Sequence, residues 1–399
     1  MMNNIKTQIK NLQLKPDGGK RIAGGHLWVF SNELVTVDKT IEPGSICGVL
    51  YPDGRPAGIG FFNPRSLIAM RLLKNGALEL NGEFVSDRLK AALEYRKNLG
   101  VERFCRLCYG ESDGLPGLII DRYGDYLVME MLSAGTEKLK TEILDAVKQL
   151  LRPKAVLLKN THPFRTLEGL ELYEESVFGE MPETAEIEEN GLKYKIRLSG
   201  GQKTGWYFDQ RENRAAMAPY FEGRKVLDLY TYLGGFAMTA AASGAQKVWA
   251  VDSSQAAVGL AEENAALNGL EEKIVFKKED AERILSAASR KELPEQPDFI
   301  LLDPPNFVRS KKNLNQAAKL FIRLNAQALS ALPEGGLLAV SSCSHHISRE
   351  IFTGILAEAA AKTGRKTMLL ELRSQAKDHP ILLNMPETEY LHFALLKTL

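Results

Sequence analysis

Short apolar runs alternate with longer, alanine-rich helical patterns between residues 225 and 344. Residues 226–229, 247–251, 299–302 and the stretch from Leu337 into Ser341 are largely apolar on both sides of the pleat, interrupted by Asp228 and Lys247. Such runs suit strands buried on both faces of a parallel sheet. Gly234-Gly235 turns the chain out of the first strand into a helix, and later strands are likewise followed by helical patterns. The alternation predicts an α/β fold with a helix-wound parallel sheet. Ligands of such sheets sit outside the carboxyl ends of the strands. Asp228, Asp252, Asp280, Asp303 and Cys343 all fall at predicted strand ends, so one sheet edge is expected to gather four carboxylates and a thiol.

Upstream the pattern changes. Residues 1–75 are rich in glycine and short strands, the first over 9–14, with turns at Glu42-Pro43-Gly44 and Pro52-Asp53-Gly54. They predict a small β-barrel-like domain. Residues 84–99 repeat apolar positions at helical spacing and stop at Gly100; residues 137–150 form a second helix and 155–159 a strand. Residues 76–190 therefore read as a central α+β domain, and 191–399 as the wound sheet. A hairpin is expected over 188–198 around Asn190-Gly191. Asp209 stands three residues before Glu212, a capping-box spacing for a helix over 210–221.

Composition adds few constraints. The 399 residues carry 44% hydrophobic and 25% charged residues and a net charge of +1, ordinary for a globular protein. No apolar run reaches the ~18 residues of a membrane span. Residues 1–10 show neither an apolar stretch nor a cleavage pattern, so a cytoplasmic protein is expected. Basic residues outnumber acidic ones over 1–75, where Lys20, Arg21, Trp28 and Arg65 combine charge with an aromatic ring as an RNA contact would. Core packing accounts for Trp28 and Phe30 as well. The acidic stretch running from Glu168 through Glu189 reads as a solvated face or linker. Four cysteines make no disulfide scaffold. Cys105-Arg106-Leu107-Cys108 lacks the partners of a zinc site, so these are read as strand thiols and no metal is expected.

The sheet edge carries the chemistry. A Gly234-Gly235 turn lets a ligand approach the backbone. Asp252, about 20 residues on, suits a ribose diol, with Ser253 as cap of the next helix. Asp280-Ala281 suits the edge of an adenine. Neither a dinucleotide glycine triplet nor a phosphate loop is present. An adenosine-like half without phosphate fits S-adenosylmethionine. Asp303-Pro304-Pro305-Asn306-Phe307 is a rigid turn that aims a carboxylate at a flat substrate. A Cys343 thiol facing it can add to C6 of a pyrimidine and so activate C5, with Asp303 stabilising the adduct at N3.

These residues, with the segments around them, resemble the bacterial PUA-containing class I ribosomal RNA cytosine-C5 methyltransferases of the large-subunit type. The resemblance rests on residues 20–33, on the Glu111 to Gly124 hairpin, and on residues 202–214, 230–237, 303–307, 342–344 and 375–380. It implies an N-terminal PUA-like RNA-binding domain, a Rossmann-like methyltransferase sheet with Asp228, Gly234 and Gly235 at the cofactor, and methyl transfer from S-adenosylmethionine to a ribosomal RNA cytosine. Cys343 would be the nucleophile, and Phe208, Asp209 and Arg211 would lie at the cofactor or target base. Asn306 stands where many such enzymes carry a second cysteine, which leaves His345 and His346 as candidates for removing the C5 proton. Two rival readings remain: methylation of an exocyclic amine through Asp303-Pro304-Pro305, and a non-catalytic ribosome-assembly factor. A homodimer is compatible with each.

Overall fold

A computed structural model describes residues 9–199, 204–308 and 311–399. Gly200, Gly201, Gln202 and Lys203, the last two of which open one segment of the family resemblance, lie outside the described residues. The chain divides into two compact units. The first comprises Met1–Ala185, Arg197–Phe208 and Lys377–Thr388; the second comprises Glu186–Ile196, Asp209–Ala376 and Glu389–Leu399.

The first unit holds two five-stranded sheets. One runs in the order Asn11–Gln13, Ser45–Leu50, Pro56–Phe62, Ile68–Asn75, Trp28–Phe30; the other in the order Tyr173–Phe178, Ala155–Asn160, Tyr126–Met131, Leu118–Tyr123, Phe104–Tyr109. Helices Phe84–Asn98 and Lys140–Leu151 pack beside the second sheet. Cys105 and Cys108 are buried in its edge strand, and no cluster able to hold a metal occurs among the described residues. Glu168 ties the two sheets together. Its carboxylate accepts from Asn63 Nδ2 (2.9 Å), Ser66 Oγ (2.9 Å) and Arg71 Nη2 (3.3 Å). Arg71 also donates to Glu111 at 2.9 Å, and Glu111 accepts the Trp28 indole N–H at 2.8 Å. The expectation of a solvated acidic face therefore fails at Glu168, which is 4% exposed.

The hairpin around Asn190-Gly191 is present, built from Thr184–Glu189 and Leu192–Arg197, with both turn residues at positive φ as a tight right-twisted turn requires.

The second unit is built on seven strands: β1 (Lys225–Leu229), β2 (Lys247–Asp252), β3 (Ile274–Lys278), β4 (Phe299–Leu302), β5 (Leu337–Ser342), β6 (Thr367–Arg373) and β7 (His392–Thr398). Their order is β3-β2-β1-β4-β5-β7-β6, with β7 alone antiparallel to its neighbours. The chain reverses direction across the sheet at β1 and β4, the switch point where ligands of such sheets bind. Parallel register puts Leu229 level with Val251 and Leu302, and Leu302 level with Val340. Four carboxyl ends thus stop at one height. Every residue of β4 and β5 is buried, because helices such as Leu314–Ala331 and Arg349–Thr363 pack into the same core. No helix among the described residues is long and apolar enough to cross a membrane.

Removing the Glu168 carboxylate takes an acceptor from Arg71, Asn63 and Ser66, leaving Arg71, among the described residues, only Glu111 and Asn63 only the Glu168 backbone carbonyl. Glu168→Ala should destabilise the first unit by about 3 kcal/mol, the scale for breaking a buried charge network, while Glu168→Gln costs less. Urea unfolding followed through Trp28 fluorescence checks this; equal midpoints for Glu168→Ala and wild type would show that the network contributes nothing.

Candidate active site

The turn after β1 is the most distorted part of the sheet edge. Tyr230 (φ 64°), Tyr232 (φ 52°) and Gly234 (φ 82°) all lie in the left-handed region. Bulky side chains seldom sit there, and such residues gather at functional loops. Asp228 holds the turn. Its Oδ2 accepts from the Thr231 hydroxyl at 2.6 Å and from the Ala237 N–H at 3.0 Å. The carboxyl is 1% exposed. Burial, aided by the nearby Asp303 and Asp252 charges and opposed by its two hydrogen bonds, raises it to about 7.

Asp252 ends β2. Its Oδ2 accepts from the Tyr232 N–H (3.0 Å) and its Oδ1 from the Ser254 N–H (2.9 Å). A carboxylate has about four acceptor directions, so room remains for the two hydroxyls of a ribose. Ser254, not Ser253, caps the helix Gln255–Leu267; its side chain accepts from the Ala257 N–H, and Ser253 is exposed. Asp280 falls two residues past the end of β3 and caps the helix Ala281–Ser289 through the Arg283 N–H at 2.8 Å. Its carboxylate is exposed and Ala281 is buried at the first turn.

Asp303 follows β4. One carboxylate oxygen accepts from Gln210 Nε2 at 3.2 Å and the other from the Ser341 hydroxyl. Asn306 Oδ1 accepts the Val308 N–H at 2.8 Å, closing the segment after the prolines. Residues 304–308, Ala317 and Phe321 line a shallow cleft together with Ser342, Cys343, Ser344 and Ile347. Cys343 and the Pro304-Pro305 segment that follows Asp303 thus border one cleft. Cys47, Cys105 and Cys108 are buried and Cys343 is partly exposed, so the thiol at the cleft is the accessible one.

Residues 12–75 match the model of a PUA-like domain, and residues 157–372 that of an S-adenosylmethionine-dependent methyltransferase. Ribosomal RNA large subunit methyltransferase I of Escherichia coli O139:H28 is 35% identical over 379 residues, 93% of this chain and 95% of that protein. Its namesake from Salmonella schwarzengrund is 34% identical over 398 residues, 98% of each chain. This chain belongs to the S-adenosylmethionine-dependent methyltransferases. A solved structure from Streptococcus mutans, described as a SAM-dependent methyltransferase, aligns at TM-score 0.83 over 98% of this chain and 100% of its own; at 22% identity it shares the fold.

The methyltransferase brings Asp228, Gly234, Gly235, Asp252, Asp280, Asp303 and Cys343 to one sheet edge, as expected from their strand ends. The loop from Tyr230 to Gly235 carries no Lys or Arg, which suits an adenosine without phosphates. Other expected residues go elsewhere. Asp209 does not cap a helix: the helix spans Arg211–Met217 and has no side-chain cap bond. The Asp209 carboxylate instead accepts from the Tyr390 hydroxyl at 2.6 Å. Arg211 is buried and pairs with Glu189 at 3.5 Å, and Arg214 Nε donates to the same carboxylate at 2.6 Å. Glu189 is thus a second buried acid within the stretch read as solvated. Phe208 belongs to the first unit, where it is 2% exposed and stacks on Tyr123 at 5.3 Å. Asp378 and His379 are buried there too, joined Oδ1 to Nδ1 at 2.8 Å.

Lys20, Arg21 and Arg65 are exposed, with Arg21 paired to Glu33 at 3.2 Å. Trp28 is half-buried and engaged with Glu111 and Arg71. His345 and His346 lie in the turn before the helix Arg349–Thr363, His345 packed 5.2 Å from the Tyr390 ring. Sequence reasoning missed Gln210, Ser341 and Thr231, whose hydrogen bonds hold the two carboxylates. The partner of Gln210 and Ser341, Asp303, lies 93 and 38 residues away, which sequence spacing does not reveal, whereas Thr231 bonds Asp228 only three residues back.

Asp228 generates a pH test. Its carboxyl titrates from about 3.8 when unfolded and about 7 when folded, so folding takes up a proton in that window. Asp228 therefore lowers stability progressively as pH rises through the window and by a constant amount above it. In Asp228→Asn the amide oxygen still accepts from Thr231 and Ala237 and does not titrate. The stability of the variant relative to wild type should rise between about pH 4 and pH 7 in urea titrations and level off above; a difference that stays flat across that window would mean that folding does not raise the proton affinity of Asp228.

Proposed function

We propose that this enzyme methylates C5 of a cytosine in ribosomal RNA of the large subunit through a covalent Cys343 adduct. The observation that carries the reading is the cleft shared by Cys343 and the segment following Asp303. The curated relatives named above act on large-subunit ribosomal RNA by name, and the PUA-like segment suits an RNA substrate. Methylation of an exocyclic amine needs no thiol, and the accessible cysteine beside the Asp-Pro-Pro segment favours C5 over it. A cytoplasmic setting goes with such a substrate. The reading keeps three modules: an RNA-binding one over residues 1–75, a central one over 76–190 and the catalytic one over 191–399.

Asp252 would hold the cofactor's ribose, the turn carrying Gly234 and Gly235 would let it approach the backbone, and Asp280-Ala281 would face the adenine. When bound, S-adenosylmethionine supplies the electrophilic methyl group. The Cys343 sulfur forms a bond to C6 of a flipped-out cytosine and loses its proton. The C5=C6 electron pair shifts toward C4, and the C4=N3 pair moves onto N3, which gains a proton. C5 becomes enamine-like, the carbon that accepts the methyl. Asp303 would hold the N3 and N4 edge of the ring. A base then takes the C5 proton, the C6–S bond breaks, and C5=C6 and the thiol are restored. Exposed His345 and half-buried His346 remain the candidates for that base.

Cys343→Ala should bind S-adenosylmethionine in calorimetry with near wild-type affinity yet form no denaturant-stable complex with 5-fluorocytosine RNA, which wild type should trap. Trapping retained in Cys343→Ala would remove the cysteine from the mechanism. RNA binding by the first unit has its own test. Replacing Lys20, Arg21 and Arg65 together by Ala should lower the slope of log affinity against log salt by about 2, from ~0.7 per lost phosphate contact; an unchanged slope places the RNA on another surface.

A further inference from the structure

Gln210 is 3% exposed and donates through Nε2 to Asp303 Oδ2 at 3.2 Å. Its amide orientation is settled by a chain of partners. Arg373 Nε donates to Asn213 Oδ1 at 3.1 Å. A guanidinium can only donate, so the other end of the Asn213 amide must be its NH2. That group donates to Gln210 Oε1 at 2.7 Å and to the Ser374 carbonyl at 3.2 Å. With its oxygen so occupied, Gln210 presents its NH2 to Asp303. Ser341 donates to the other carboxylate oxygen. Asp303 thus meets a donor on each oxygen, and the plane of its carboxylate is fixed from two sides. Donors to both oxygens favour the charged, acceptor-only form.

We propose that Gln210 is a positioning residue which, oriented by Asn213 and Arg373, holds Asp303 as an acceptor-only carboxylate against the pyrimidine edge and so sets the rate of thiol addition rather than the binding of either substrate. The inference rests on the C5 reading above. In the addition the S–H bond breaks, the S–C6 bond forms, and the proton ends on N3. A fixed anion beside N3 draws that proton onto the ring and accepts a hydrogen bond from the resulting N3–H. It also accepts from the N4 amino group of cytosine and repels the O4 of uracil, so the same arrangement discriminates between the two bases.

Gln210→Met keeps the length of the side chain and removes the donor. It should lower kcat by about 10- to 100-fold, the usual range for a residue that orients a reacting group, with the Kd for S-adenosylmethionine within about twofold of wild type. Gln210→Glu places a second anion beside Asp303 at neutral pH; once protonated, it can donate to Asp303 and still accept from Asn213. Its kcat relative to wild type should therefore rise as pH falls from about 8 to about 5.5, while the ratio for Gln210→Met stays flat. Charged groups near the chain among the described residues include Asp209, Arg211, Asp228, Glu371 and Arg373; all charges other than that at position 210 are common to the enzymes compared, so the ratio isolates that position. Arg373→Met, at a partly exposed position, removes the donor that orients the chain and should cost several-fold in kcat even if the buried variants fold poorly. The proposal is overturned if Gln210→Met or Arg373→Met keeps full kcat, if the Gln210→Glu deficit is independent of pH, or if cofactor affinity falls in step with kcat. Trapping on 5-fluorocytosine RNA separates the two levels: no adduct in wild type removes the C5 reading itself, whereas an adduct formed as fast by Gln210→Met removes only the role of Gln210.

Discussion

The catalytic unit depends on a register. Leu229, Val251, Leu302 and Val340 stop level with one another across parallel strands β2, β1, β4 and β5. Because side chains alternate along each strand, a slip of one residue would reverse the face of every following side chain. Asp252, Asp303 and Ser341 follow directly on the level positions. The Asp303–Ser341 hydrogen bond is therefore a consequence of pairing, and Cys343 is carried to the cleft two residues later. The apolar β4 and β5 specify that pairing by burying both faces beneath helices.

Level strand ends bring carboxylates into mutual range, which is electrostatically unfavourable. The structure resolves this by giving them different surroundings. Asp228 is sealed off and its proton affinity rises. Asp252 and Asp303 instead accept hydrogen bonds on both carboxylate oxygens, from the Tyr232 and Ser254 N–H groups and from Gln210 and Ser341. One acid is thus sealed into the turn, while Asp252 keeps acceptor directions for a ligand. The strain at Tyr230 and Tyr232 belongs to the same arrangement: the turn must bend sharply enough to let Asp228 reach the Ala237 N–H and Asp252 reach the Tyr232 N–H.

Much of this was legible in the sequence because it is local. Strand ends, the Gly234-Gly235 turn, the Asn190-Gly191 hairpin and the buried strand thiols Cys105 and Cys108 follow from short-range pattern and hold in the structure. Most of what failed required a partner far along the chain. Asp209 had the spacing of a cap, yet Tyr390 takes its carboxylate. Ser253 stood at the right distance for a cap, and the helix begins one residue later, so Ser254 takes the role. Glu168 and Glu189 look like neighbouring acids of a solvated stretch, because composition cannot show that Arg71, Arg211 and Arg214 converge on them. The return of residues 197–208 and 377–388 to the first unit is invisible for the same reason.

The buried ion pairs and the active-site carboxylates illustrate one rule. A charge taken out of water is costly unless its acceptor directions are filled. Glu168 and Glu189 have theirs filled by arginines and neutral donors, and each fixes the segments that it joins. Asp303 meets a neutral amide and a hydroxyl. An arginine at the place of Gln210 would neutralise the carboxylate and compete with a base for it. The Gln210 amide fixes the Asp303 carboxylate without adding a countercharge of its own, whereas Arg211 and Arg214, in the same segment, both pair with Glu189.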